Sequence, residues 1–196
     1  MRLILASQSA SRRAMLAAAD VAFTAEAAAV DEDAAKASLA GLAPRDLADA
    51  LAELKALKVS SRRPGALVLG SDSIVALADG TLLDKPVTRE QAAEHLARMS
   101  GGVHRLWSAA VVAEDGHAVW RYVDGAKLHV RTLSYSFIDR YLDAEWPAVA
   151  GCVGVFRIEG PGVQLFERIE GSHFTVLGLP LIPVLGFLRV RGVIET

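Results

Sequence analysis

Short apolar runs bounded by polar turns alternate along this chain with segments of helical periodicity. That alternation restricts it to an α/β fold, with a mixed sheet. Leu3–Ala6 reads as a short buried strand, Ser7–Ser11 as a polar turn, and Arg12–Ala19 as a helix that Ser9 or Ser11 can cap. Pro44–Val59 is a second helix, its Leu47, Leu51, Leu54 and Leu57 recurring at three and four residues. Ala66–Leu69 is a strand running into Gly70-Ser71-Asp72, and Ser73–Leu77 continues extended to a hairpin turn at Asp79-Gly80. Thr88–Met99 is a helix with Thr88 as its cap, ended by Ser100-Gly101-Gly102. Trp107–Ala113, Ala118–Val123 and Lys127–Leu133 read as three strands of an antiparallel meander. Ser136–Ala144 is a helix, Val163–Ile169 a strand, and Leu181–Val190 a final helix opened by Gly178-Leu179-Pro180.

Composition narrows the function classes. With 52% hydrophobic residues and a formal net charge of −2, the chain is not disordered and has no global field for gripping nucleic acid or an anionic membrane. The 196 residues suit a single domain, 1–196, with a full hydrophobic core. The one cysteine, Cys152, excludes an internal disulfide and fits a reducing cytoplasm. The longest apolar stretch, Val176–Leu188, is interrupted by Pro180 and Pro183, so no membrane span is expected and a cytoplasmic setting is. Only five of the 21 basic residues are lysines, which singles out any lysine beside a motif.

Several segments carry possible chemistry. Ser7-Gln8-Ser9-Ala10-Ser11-Arg12-Arg13 gathers hydroxyls and guanidiniums at the head of a helix. Orphan backbone N–H groups and the helix dipole make that place an anion site, and arginines add forked phosphate contacts. The alternative is a serine cap with two solvated arginines. In Val68–Val75, Asp72 interrupts an apolar strand. A buried unpaired carboxylate is costly, so Asp72 belongs at a strand end facing polar partners or a metal, or else in a turn. Lys85, held beside Pro86, and Lys55, on the helix before that strand, could each neutralise phosphate charge or lie solvated on the surface. Val30-Asp31-Glu32-Asp33 could offer oxygen ligands to a divalent cation or form the acidic first turn of a helix. Phe156–Gly162 is a glycine-rich turn carrying Glu159. No histidine spacing suits a metal, and no nucleophile elbow is present.

The order of these segments is more specific than any one of them. L-A-S-x-S-x-x-R-R-x-x-L, V-D-E, K-A on a helix with Asp72 seventeen residues on, G-S-D-S-x-V, D-K-P, E-G-x-G and G-L-P-L closely resemble the Maf family, from about Leu3 to Arg189. Its members are nucleoside-triphosphate pyrophosphatases, once described as septum-formation inhibitors. The resemblance implies an elongated two-lobed α/β fold with a central cleft, similar to inosine-triphosphate pyrophosphatases. It implies hydrolysis of a nucleoside triphosphate to the monophosphate and pyrophosphate, with Mg²⁺ or Mn²⁺ as cofactor, and a homodimer for which the apolar Leu181–Val190 helix offers a patch. By matched position, Asp72 is the proton acceptor, Asp72 and Glu32 are on the metal side, and Lys55 and Lys85 are on the phosphate side. Ser7, Ser9, Arg12 and Arg13 fall on the phosphate-contacting loop.

The resemblance further implies three positions that matter for substrate choice, which fall here on Ser11, Ser73 and Glu159. The branch acting on dTTP and UTP carries Arg, Thr and Gln there, and the 7-methyl-GTP branch carries Trp, Gln and Glu. Glu159 and the run Leu165–Gly171 resemble the second branch, while Ser11 and Ser73 match neither. Segment Trp146–Val153 departs from the usual A-G-x-Y, with Gly154 and Phe156 taking the places of its glycine and aromatic. The expectation is a pyrophosphatase for a modified, 7-methyl-GTP-like nucleotide. The alternatives are a dTTP/UTP pyrophosphatase and a nucleotide-binding regulator of cell division.

Overall fold

The structure, a computed structural model, describes residues 2–195. In chain order its elements are β1 (Leu3–Leu5), α1 (Ala10–Ala18), β2 (Thr24–Ala25), α2 (Glu32–Ser38), α3 (Pro44–Ser60), β3 (Leu67–Ala76) and β4 (Leu82–Leu83). There follow α4 (Arg89–Met99), β5 (Val103–Glu114), β6 (His117–Val130), α5 (Tyr135–Glu145), β7 (Phe166–Glu170), α6 (His173–Val176) and α7 (Leu181–Val190). The strands of the described residues form one mixed sheet in the order β2-β1-β3-β5-β6-β7, with β4 on β3. The expected α/β class with a mixed sheet is therefore present.

The chain divides into two compact units. The first comprises Met1–Ser73, Trp107–Asp124 and His173–Thr196. Within it β1 pairs in parallel with β2 and with β3, in the register Leu3↔Leu67, Ile4↔Val68 and Leu5↔Leu69. Parallel strands need cover on both faces, and the period of two supplies two apolar faces. Leu3, Leu5, Leu67 and Leu69 pack on one side with Met15 and Leu16 of α1 and Leu181, Val184 and Leu188 of α7. Ile4, Ala6, Ala66 and Val68 pack on the other with Val59 of α3. The apolar stripe of α7 is thus largely spent on the core, leaving Ile182 and Val190 exposed on its outer side.

Gly70 fixes how closely α3 approaches β3. A Cβ there would lie 2.2 Å from the carbonyl oxygen of Ala52 and 2.6 Å from the nitrogen of Ala56. No side chain fits, so the helix backbone lies on the strand beside Lys55, two residues before Asp72.

The second unit comprises Ile74–Leu106 and Gly125–Ser172. Its β3 residues Val75 and Ala76 pair antiparallel with Leu83 and Leu82 around the Asp79-Gly80 turn, as the sequence predicts. Asp79 accepts from the Thr81 amide, and Gly80 takes φ +86°. Arg89 joins α4 to Asp139 and Asp143 of α5. Arg157 makes a two-pronged ion pair with the buried Glu145 (2.8 and 3.0 Å).

The predicted three-strand meander is corrected. Ala118–Val123 and Lys127–Val130 lie within one strand, β6, because Asp124-Gly125 continues the ladder instead of turning, and Arg131–Leu133 lie beyond its end. Val163–Ile169 is corrected as well: Pro161–Leu165 is a 3₁₀ turn, and the strand starts at Phe166. No helix among the described residues is long and apolar enough to cross a membrane.

Candidate active site

The chemistry-bearing residues of the first unit converge beyond the end of β1, beside the middle of β3: Asp72 lies inside that strand, which corrects the expected strand end or turn, because the ladder runs on to Ala76. Strand β1 hands the chain to a serine turn. Ser9 caps α1 by accepting from the Arg12 amide (3.4 Å), and Ser7 Oγ accepts from the Ser9 amide (3.2 Å). The cap aims the first turn of α1 so that Arg12 points inward. Its Nε donates to the Gly178 carbonyl (2.8 Å), Nη1 to Ser7 Oγ (3.3 Å) and Nη2 to Ser73 Oγ (3.0 Å). All three acceptors are neutral oxygens, so the guanidinium is oriented without being cancelled. Burial lowers its pKa from the ordinary arginine value, and the charges of Asp72 and Glu32 oppose that shift. Arg13, on the next position of α1, is exposed.

The acidic side is built around Lys55. Its Nζ lies 2.5 Å from Asp72 Oδ1 and 2.7 Å from Glu32 Oε1. Lys55 and Asp72 are buried, whereas the Glu32 side chain is 32% exposed. Asp31 caps α2 by accepting from the Ala34 amide (3.0 Å), and Glu32 opens the helix behind that cap. The acidic cluster is thus both a helix start and a contributor to the site. Asp72 is not left unpaired in its apolar strand: the close approach at Gly70 brings an ammonium to it.

The residues present fit a hard divalent cation of the Mg²⁺ type. Two carboxylates share one ammonium, and such ions use one or two protein carboxylates with substrate phosphate oxygens completing the shell. Among the described residues no group of three or more His, Cys, Asp or Glu could form an all-protein cage.

Lys85 and Glu159 belong to the second unit and are exposed there. Both act on Cys152, whose thiol is pushed up chiefly by burial, then by Glu159, with Lys85 pulling the other way. Ser11, the remaining predicted position, donates its hydroxyl to the Leu177 carbonyl (2.8 Å). Ser71 and Ser108 are site residues that no motif singles out. Ser71 donates to the Gly178 carbonyl (3.1 Å), and both serines are fully buried. The only signal for Ser108 was a hydroxyl in an otherwise apolar strand.

The family model described as Maf-like protein matches residues 2–191. A nucleoside triphosphate pyrophosphatase of Sphingopyxis alaskensis is 54% identical over 194 residues, covering 98% of each chain. A 7-methyl-GTP pyrophosphatase of Mesorhizobium japonicum is 47% identical over 196 residues, covering 99% of this chain and 98% of its own. Among solved structures, a HAM1 protein from Coxiella burnetii matches with TM-score 0.46 and 14% identity, covering 66% of this chain and 73% of its own.

Proposed function

Because this chain belongs to the Maf-like family, we propose that it hydrolyses a nucleoside triphosphate to the monophosphate and pyrophosphate. The single observation that carries the reading is Arg12: a half-buried guanidinium held, among the described residues, by neutral oxygens at the head of a helix, with Lys55 bridging two carboxylates in the same unit.

The geometry suits phosphate-anhydride chemistry. Such a reaction needs positioning and charge neutralisation more than covalent catalysis. The first-turn amides of α1 and the Arg12 guanidinium offer donors to phosphate oxygens, with Ser7 and Ser9 shaping the turn and Arg13 at its outer edge. The family resemblance alone assigns Lys85, an exposed lysine of the second unit, as a further cation for the phosphates. Asp72 Oδ1 holds Lys55, leaving Oδ2 to orient the attacking water and take its proton. Glu32 and Asp72 would hold Mg²⁺ or Mn²⁺, which when bound neutralises charge on the triphosphate oxygens. Glu32 also shares the Lys55 ammonium with Asp72.

For the nucleobase the reading is a 7-methyl-GTP-like substrate. Glu159 is an exposed carboxylate, suited to the ring N–H and amino donors of a cationic methylated guanine. Ser11 and Ser73 contribute by their small size, since both hydroxyls bond within the protein. The relative of Mesorhizobium japonicum supports this choice by name. The homodimer implied by the resemblance has Ile182 and Val190 of α7 to offer as exposed apolar contacts.

The test is pyrophosphate release from 7-methyl-GTP, GTP, UTP and dTTP with Mg²⁺ or Mn²⁺. The expected result is a preference for 7-methyl-GTP over UTP, and a loss of about a hundredfold or more in Asp72→Asn. Undiminished activity in that variant would defeat the mechanism. Equal or inverted rates would replace the substrate by the dTTP/UTP alternative.

A further inference from the structure

Arg12 is the end of a longer hydrogen-bonded chain. Its Nη2 donates to Ser73 Oγ, which lies 2.9 Å from Ser108 Oγ. Ser108 is fully buried on β5, and its hydroxyl donates to the Thr175 carbonyl (2.8 Å). A serine hydroxyl has one proton to give. With that proton on Thr175, Ser108 can only accept from Ser73. Ser73, having donated to Ser108, can only accept from Arg12. The direction of the whole chain is therefore determined: Arg12 to Ser73 to Ser108 to the Thr175 carbonyl. Its far end is tied down by Thr175 Oγ1, which donates to Asp124 Oδ2 at 2.5 Å.

We infer that Ser108 is a positioning residue for the Arg12 guanidinium, and that the Ser73 hydroxyl serves that guanidinium and not the nucleobase. The inference rests on the phosphate role proposed above for Arg12. Ser73 has no proton left for a base carbonyl or ring nitrogen. Its oxygen lone pair is aimed at Nη2 because Ser108 takes the proton on the other side, and hydroxyls linked in this way polarise one another. A carboxylate in the place of Ser73 would orient the arginine equally well but would compete with phosphate for its charge. Gly178 completes the mount. Its carbonyl accepts from Arg12 Nε, and a Cβ at its φ of +102° would come within 3.6 Å of two guanidinium nitrogens.

The experiment compares Ser108→Ala and Ser73→Ala with the unaltered protein on 7-methyl-GTP, GTP, UTP and dTTP. In each variant kcat/KM is expected to fall roughly five- to tenfold, by the same factor on every nucleotide. In an Arg12→Lys background, Ser108→Ala should cost less than about twofold, because the residue it positions has gone. Full additivity in that cycle would overturn the inference, since a merely structural serine acts independently of Arg12. A loss in Ser73→Ala confined to one nucleobase would overturn it too. If the unaltered protein released no pyrophosphate from any of the four, the functional reading beneath the inference would fall instead.

Discussion

Lys55 is 9% exposed and holds Asp72 and Glu32 at once, so removing its charge strands two acids. Breaking a buried pair by deleting one partner costs about 3–5 kcal/mol, far more than a surface ion pair. Lys55→Met should therefore lower the urea midpoint strongly at neutral pH, and an unchanged midpoint would show the pair to be energetically idle. His104 is the contrary case. It is buried against Phe156 and Phe166, and neither ring nitrogen has a hydrogen-bond partner among the described residues. Burial holds its pKa down to about 4. The unfolded chain, with an ordinary histidine value of about 6.5, binds the proton first as pH falls. The neutral ring's contribution is complete above about pH 6.5 and is lost as pH drops toward 4, about 3 kcal/mol in all. His104→Leu should flatten the fall in stability between pH 6.5 and 4.5 relative to the unaltered protein, read from urea midpoints. Parallel curves for the two proteins would contradict the assignment. Neither residue's environment is written in its own neighbours in sequence: a lysine on a helix is usually solvated, and a histidine in a strand usually finds a partner.

At the scale of elements, one glycine governs the approach of α3 to β3. Gly70→Ala would place a methyl 2.2 Å from the Ala52 carbonyl oxygen, forcing the helix outward and withdrawing Lys55 from Asp72. Overpacking of this kind costs about 1–3 kcal/mol or more, so a lower thermal midpoint together with loss of pyrophosphate release is expected. A variant with unaltered stability would show that the helix yields freely. Elements with strong local signals were legible in the sequence. The Thr88 cap, the Asp79-Gly80 turn and the stripe of α3 act over three or four residues. Asp124-Gly125 has turn chemistry, and for that reason the sequence divides Ala118–Leu133 into two strands where the fold has one, ending at Val130. In the fold Asp124 accepts from Thr175, and the ladder runs on through it. That partner lies 51 residues away, beyond the reach of any local rule.

For the whole molecule, a ligand that binds only the folded chain stabilises it by mass action. A non-hydrolysable triphosphate at a hundred times its Kd contributes about 2.7 kcal/mol, or roughly 5–10 °C in Tm for a chain of this size. Asp72→Asn protein should show the same rise with 7-methyl-GTP if the aspartate serves chemistry more than binding. No shift with any triphosphate would contradict a nucleotide site. The sequence by itself determined the α/β class and the strand–turn–helix start, and it singled out Ser7, Ser9, Arg12, Glu32, Lys55 and Asp72 as candidates, because period, caps and motif spacing are local properties of the chain. Only the tertiary structure decided how those residues are spent. Lys55 bridges both acids, Arg12 is held by neutral oxygens, and Ser73 gives its proton inward to Ser108. The physical reason is that a hydrogen bond is assigned by distance and by the count of protons available, and partners such as Lys55 and Asp72, 17 positions apart, or Arg12 and Gly178, 166 apart, meet only when the sheet and its helices pack.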